Sequence, residues 1–222
     1  MLTRSLLCSH LRFFFNFSAA WKSVGLLLVS LALPLTAQAQ TATLLVLGDS
    51  LSAEYGIARD AGWVQLLSQR LEVEKRPWRV VNASISGDTT SGGLQRLPAL
   101  LDQHRPRLVL IELGANDALR GLSLDMTEKN LTRMIELARQ HKAQVVLAGM
   151  QIPPNYGKVY TQRFFGLFEQ LSKQHKTLLI PFLLDGLAQD STHFQADRLH
   201  PNEAAQALIA NNVWSTLDSH LR

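Results

Sequence analysis

The chain has 222 residues, 46% of them hydrophobic and 18% charged, which is the make-up of a globular protein with one sizeable core. Its net charge of +4 comes mostly from one end: Arg4, Arg12 and Lys22 stand in the first 39 residues with no acidic side chain, leaving 19 basic against 18 acidic residues in the remainder. A nearly neutral domain offers no basic field for nucleic acid, and a single cysteine, Cys8, excludes a disulfide framework.

The first feature in chain order has the layout of an export signal, with an uncleaved anchor as the alternative. Lys22 is followed by the apolar run SVGLLLVSLALPL and then by TAQAQ, with small residues at Ala37 and Ala39. A positive end, an apolar stretch and an A-x-A site predict a secretory signal peptide over 1–39 and a mature domain over 40–222. The apolar run is short for a membrane-crossing helix, so no stable insertion is expected after cleavage. Leu7 before Cys8 lacks the small residue of a lipoprotein site, and Cys8 leaves with the signal. The expected location is the bacterial periplasm or the medium.

From Thr41 onward strands and helices alternate. TATLLVL (41–47), RVVNA (79–83), RLVLIEL (107–113), AQVVLAG (143–149) and KTLLIPF (176–182) are continuous apolar runs, which predict strands buried on both faces of a parallel sheet. Between them Trp63, Leu66, Leu67 and Leu71 recur at helical spacing. So do Leu131, Met134, Ile135 and Ala138, and again Phe164, Phe165, Phe168 and Leu171. A helix follows the glycine loop near Gly87, and a last one starts near Pro201, a residue suited to a first helical turn. Alternation without a repeat or linker predicts one α/β domain, a three-layer α/β/α sandwich around a five-stranded parallel sheet.

Open parallel sheets carry their sites beyond the carboxyl ends of the strands. Those segments read GDS (48–50), SISGD (84–88), GAND (114–117) and QIPPNY (151–156). Ser50 has two readings there. Ser, Asp and Gly are ordinary turn formers, whereas a serine nucleophile needs a base and a group to orient that base. His104, His141 and His175 precede strands and fall on the opposite edge, and His10 leaves with the signal. His200 follows the last strand with Asp197 three residues before it. A D-x-x-H spacing lets the carboxylate reach Nδ1 and leaves Nε2 for a serine proton. His193 is the next candidate base.

Two rival chemistries lack their residues. Gly87 and Gly92 match the glycines of a phosphate-binding loop, but Gly93-Leu94 stands where Lys-Ser/Thr is needed. A metal hydrolase would draw on Asp49, Asp117, Asp197 and His200, with no close His pair and no cysteine, a set that is nearly all carboxylate. Gly87 retains a backbone N–H able to approach an anion. Asn116 is either a turn or cap residue or an amide donor to an oxyanion.

Four ordered blocks resemble the GDSL, or SGNH, hydrolase family: Ser50 in GDSLS, Gly87 in ASISGDTT, Asn116 in GAND, and Asp197 with His200 in DRLHP. Longer stretches, VVNASISGDTT, RLPALL, NDALRG and PPNYG, are similar to its bacterial multifunctional branch of periplasmic acyl-CoA thioesterases, lysophospholipases and arylesterases. The resemblance implies a flavodoxin-like sheet order and a Ser50 nucleophile. It also implies His200 as general base and acid, Asp197 as orienting carboxylate, and an oxyanion hole of the Ser50 and Gly87 N–H groups with the Asn116 amide. No G-x-S-x-G elbow is present.

The chain departs from the family pattern in three places, at four residues. Ala115 replaces the second glycine of Gly-Gly-Asn-Asp, Ala118 stands where this branch often has glycine, and Arg198-Leu199 replaces Gly-Ile between Asp197 and His200. Arg198 is expected to face solvent. The expected protein is a secreted, monomeric serine esterase or thioesterase acting on small acyl esters without a cofactor. Leu119, Leu122, Ile152 and Tyr156, apolar residues in loops on the catalytic edge, are expected to meet the acyl chain. The alternatives are a carbohydrate deacetylase and a catalytically silent lipid- or carbohydrate-binding relative.

Overall fold

The computed structural model describes residues 41–222, so the expected signal peptide over 1–39 lies outside the described residues. In chain order the elements are β1 Ala42–Gly48, α1 Trp63–Val73, β2 Trp78–Asn82, α2 Thr90–His104, β3 Leu108–Glu112 and α3 Ala115–Leu119. They continue with α4 Leu124–Gln140, β4 Gln144–Ala148, α5 Lys158–His175, β5 Leu178–Ile180 and α6 Glu203–Leu217. The strands form one parallel sheet in the order β2-β1-β3-β4-β5. Helices α1 and α6 pack together over one face, and α2, α4 and α5 over the other. This is the expected three-layer sandwich.

The apolar runs lie where both faces are covered. Leu44 to Leu47 in β1 and Leu108 to Ile111 in β3 are buried, whereas the edge strands β2 and β5 are half-exposed at Val80, Val81, Leu178 and Leu179. Helix α4 puts Leu124, Leu131, Met134, Ile135 and Ala138 on one buried stripe and its charged residues outward. Truncating an enclosed leucine such as Leu110 to alanine costs about 2–5 kcal/mol, because a packed sheet does not collapse onto the void.

Several boundaries differ from the sequence expectation, among them β5, which covers only Leu178–Ile180 of the expected 176–182. Ala115–Leu119 is a short helix, not a loop, and Gly114 enters it with φ +118°. The unusual backbone falls on the glycine that is kept, so Ala115 in place of a second glycine is accommodated without strain. Helix α6 starts at Glu203, two residues later than expected. Pro201 is instead held in an antiparallel bridge to Phe194, and Asn202 caps the helix.

The strand order reverses between β1 and β3. Ligand sites of open α/β sheets lie at this crevice, beyond the carboxyl ends of the two strands.

Candidate active site

Ser50 follows β1 in a tight turn. The carbonyl of Asp49 accepts from the N–H of Ser52 at 3.2 Å and of Ala53 at 2.9 Å, and the indole N–H of buried Trp63 donates to the Leu51 carbonyl at 3.1 Å. Gly48 is required by close approach: a Cβ there would lie 2.6 Å from a Glu112 carboxylate oxygen and 2.7 Å from the Ser52 hydroxyl. The turn therefore sits directly on the end of β3.

His200 arrives from the far edge of the sheet. The bridge between Phe194 and Pro201 closes a short loop, within which Gln195 N–H donates to the His200 carbonyl at 2.8 Å. His200 Nε2 lies 3.0 Å from Ser50 Oγ, and Nδ1 lies 2.6 Å from Asp197 Oδ2. Asp197 Oδ1 accepts from the backbone N–H of Leu199 at 2.9 Å and of His200 at 3.0 Å. Burial pushes the Asp197 carboxyl up, but the His200 and Leu199 donors outweigh it and hold it down at about 2. An ionised, fully hydrogen-bonded carboxylate selects the Nδ1–H tautomer and leaves Nε2 as an acceptor for the Ser50 proton.

Gly87 and Asn116 complete the group. Gly87 has φ +78°, and its segment runs alongside the end of β1, with Ile85 N–H donating to the Gly48 carbonyl at 3.0 Å. Arg120 donates to the Gly87 carbonyl at 2.8 Å, and Arg96 fastens the same loop through Asp88 at 2.6 Å and the Ala83 carbonyl at 2.8 Å. Asn116 lies in the first turn of α3. That helix is tied to the start of α2 by buried Asp117, which accepts from Thr90 N–H at 2.9 Å. Among the described residues the N–H groups of Ser50 and Gly87 donate to no protein acceptor.

Beneath Ser50 lies a pair of carboxyl groups, of which sequence reasoning named Asp49 only as a possible metal ligand and missed Glu112. Asp49 accepts from Leu51 N–H at 3.1 Å through Oδ1 and from Asn116 Nδ2 at 2.9 Å through Oδ2. Glu112 accepts through Oε2 from the Asp49 N–H at 3.1 Å and the Ser52 hydroxyl at 2.8 Å. Its Oε1 is enclosed without a partner among the described residues. Burial, and then the charge of Asp49, push the Glu112 carboxyl well above its ordinary value. Burial also raises Asp49 to about 6, against the opposing pull of Leu51, Glu112, His200 and Asn116. The readable signal was a glutamate ending an otherwise apolar strand run, since charged residues are almost never enclosed unless paired.

The metal reading finds no support in the geometry. Asp49 faces Asn116, Asp117 faces Thr90 and Asp197 faces His200. Among the described residues no three His, Cys, Asp or Glu side chains converge as a ligand set.

The four apolar residues expected at the acyl chain are dispersed. A cavity of about 680 Å³ opens between the segments that follow β4 and β5, and Ile152 lines it with Phe182, Leu184, Phe194 and Leu199. Arg198 also borders this cavity; it is exposed, with φ +57°, as the expectation of a solvent-facing side chain required. Leu119 packs against the core, Leu122 is 45% exposed and Tyr156 is 39% exposed, and these three stand outside that lining. The additional wall residues lie in the segment after the last strand, where the same carboxyl-end rule applies.

Comparison with known proteins identifies the family. The model of the GDSL-like lipase/acylhydrolase family matches residues 46–208. Esterase TesA of Pseudomonas aeruginosa is 50% identical over 183 residues, 82% of this chain and 91% of the relative. An arylesterase of Vibrio mimicus is 46% identical over 80% of this chain and 89% of its own. Thioesterase 1/protease 1/lysophospholipase L1 of Escherichia coli K12 is 43% identical over 76% and 80% respectively. A crystal structure of TesA superposes with a TM-score of 0.78 at 50% identity, covering 80% of this chain and 98% of that one. The chain belongs to the GDSL-like lipase/acylhydrolase family and is a serine hydrolase of ester bonds.

Proposed function

We propose that the protein is a secreted esterase and thioesterase that cleaves acyl esters through an acyl-enzyme on Ser50. The observation that carries this reading is the unbroken hydrogen-bond chain Ser50–His200–Asp197, at 3.0 and 2.6 Å. His200 Nε2 takes the Ser50 proton as Oγ attacks the acyl carbonyl, and returns it to the leaving alcohol or thiol. Asp197 holds the imidazole in register and stabilises its charged form. The carbonyl oxygen, now negative, is met by the N–H groups of Ser50 and Gly87 and by the Asn116 amide. Water activated by His200 then releases the acid, so no cofactor enters the cycle.

The cavity between the segments that follow β4 and β5 is walled by Ile152, Phe182, Leu184, Phe194 and Leu199, which supports an acyl chain over a bare acetyl group. The relatives named esterase, arylesterase and thioesterase/lysophospholipase support the same breadth of leaving groups. Ser50→Ala tests the reading: turnover of acyl-CoA, lysophospholipid and aryl esters is expected to vanish together while the fold persists. Faster release of acetate from polysaccharide than of hexanoate from aryl esters would favour a deacetylase. For export, the intact mass of periplasmic protein is expected to place the N-terminus at Gln40; unprocessed chain in the cytoplasm alone would contradict it.

A further inference from the structure

We propose that Asp49 is a positioning residue for the oxyanion hole, its carboxylate orienting the Asn116 amide so that one N–H is held and the other faces the reacting carbonyl oxygen. This rests on the serine-esterase reading and adds a residue to it. Asp49 is 1% exposed and its two oxygens divide their work, Oδ1 on Leu51 N–H and Oδ2 on Asn116 Nδ2. Above about pH 6, where the Asp49 carboxyl has lost its proton, it only accepts. If Asn116 turned its carbonyl toward Asp49, two acceptors would meet at an enclosed carboxylate, so the carboxylate selects the amide's flip. The same nitrogen carries a second N–H, which the contact with Asp49 leaves unused.

Asn116 has no other side-chain hydrogen bond among the described residues, so nothing else there fixes its amide plane. Asp49 and Asn116 also stand on opposite sides of the crevice, after β1 and β3, and their contact clamps the two halves of the hole together. Glu112 supports the clamp from below by accepting from the Asp49 N–H and the Ser52 hydroxyl. Burial favours its neutral form, so it anchors the turn without placing a second negative charge under a developing oxyanion.

The test is a double-mutant cycle of Asp49→Ala and Asn116→Ala, read as kcat and KM separately on an aryl ester. Asn116→Ala is expected to lower kcat by about 10²–10³-fold. Asp49→Ala should lower kcat by about 10–100-fold with KM within about threefold, and should cost under about threefold more once Asn116 is gone. Normal kcat in Asp49→Ala, or an equal loss in both backgrounds, would overturn the inference while leaving the esterase reading intact. Normal kcat in Asn116→Ala would remove Asn116 from the hole and this inference with it; turnover by Ser50→Ala would defeat the esterase reading itself. Should Asp49→Ala fail to fold, exchange of the Asn116 side-chain amide protons in the wild-type protein decides. One slow and one fast proton are expected, the fast one slowing when a boronic acid inhibitor binds; equal rates in the free protein would overturn the proposal.

Discussion

The ring of Tyr55 lies against the imidazole of His200, with centroids 4.4 Å apart and planes inclined by 42°. The Gln195 amide donates to the Tyr55 carbonyl at 2.7 Å and to the Pro201 carbonyl at 3.1 Å, so the loop after Ser50 and the loop around His200 are joined directly. A tilted aromatic contact contributes about 0.5–1.5 kcal/mol beyond area burial and strengthens as the imidazole gains charge. Tyr55→Ala is therefore expected to lower kcat/KM several-fold, while Tyr55→Phe, which keeps the ring, stays close to wild type. Steady-state kinetics on one aryl ester decides; an equal loss in both variants would assign the effect to the hydroxyl.

Gly87 presents the same coupling of backbone to chemistry. At φ +78° an alanine costs about 1–2 kcal/mol of stability, and its relaxation turns the N–H away from the oxyanion position. Gly87→Ala is expected to show both a lower unfolding midpoint and a lower kcat. Chemical denaturation with parallel kinetics measures the two; full kcat would show that the Gly87 N–H takes no part in the hole.

Stability should respond to acid in two opposite ways. Asp197 falls from its ordinary 3.8 to about 2 in the folded protein, so its contribution is present above pH 4 and is lost as pH drops toward 2. Asp49 rises from 3.8 to about 6, so the folded protein keeps a proton that the unfolded chain releases, and its contribution falls as pH climbs between 4 and 6. Urea unfolding of wild type and Asp49→Ala from pH 4 to 7 should show the difference in stability moving against wild type up to pH 6 and flat above. A difference that moves toward wild type would contradict a carboxyl raised by burial.

Ile152 is buried and lines the cavity between the segments that follow β4 and β5. Each enclosed methylene is worth about 0.8 kcal/mol, so Ile152→Ala should weaken hexanoyl esters by about fourfold or more in kcat/KM and acetyl esters less. A chain-length series on wild type and variant gives the ratio. An unchanged ratio would move the acyl chain to another wall.

The sheet was legible because its central strands are enclosed on both sides, and Leu44 to Leu47 can lie nowhere else. The Ser50, Gly87, Asn116 and Asp197–His200 segments were legible for a related reason: each follows a strand, and parallel strands deliver their ends to one edge. Local pattern did not show the short helix at Ala115–Leu119, whose five residues carry too little periodicity to read. Nor did it separate Ile152, which reaches the cavity, from Leu119, which turns into the core, since both are apolar residues beyond a strand. The contact between Asp49 and Asn116 joins residues 67 apart in sequence and depends on the register of β1 against β3. Pairings of that kind emerge only once the sheet is assembled.

The central claim is that Ser50 Oγ, activated by His200, forms the bond to the acyl carbon. Reaction with a fluorophosphonate followed by peptide mass mapping tests it most directly, because the reagent marks the nucleophile covalently. One label per chain is expected, on Ser50, with activity lost in proportion to labelling, and greatly slowed labelling in His200→Ala. Inactivation with the label on another residue, or full turnover by a protein labelled completely at Ser50, would contradict it.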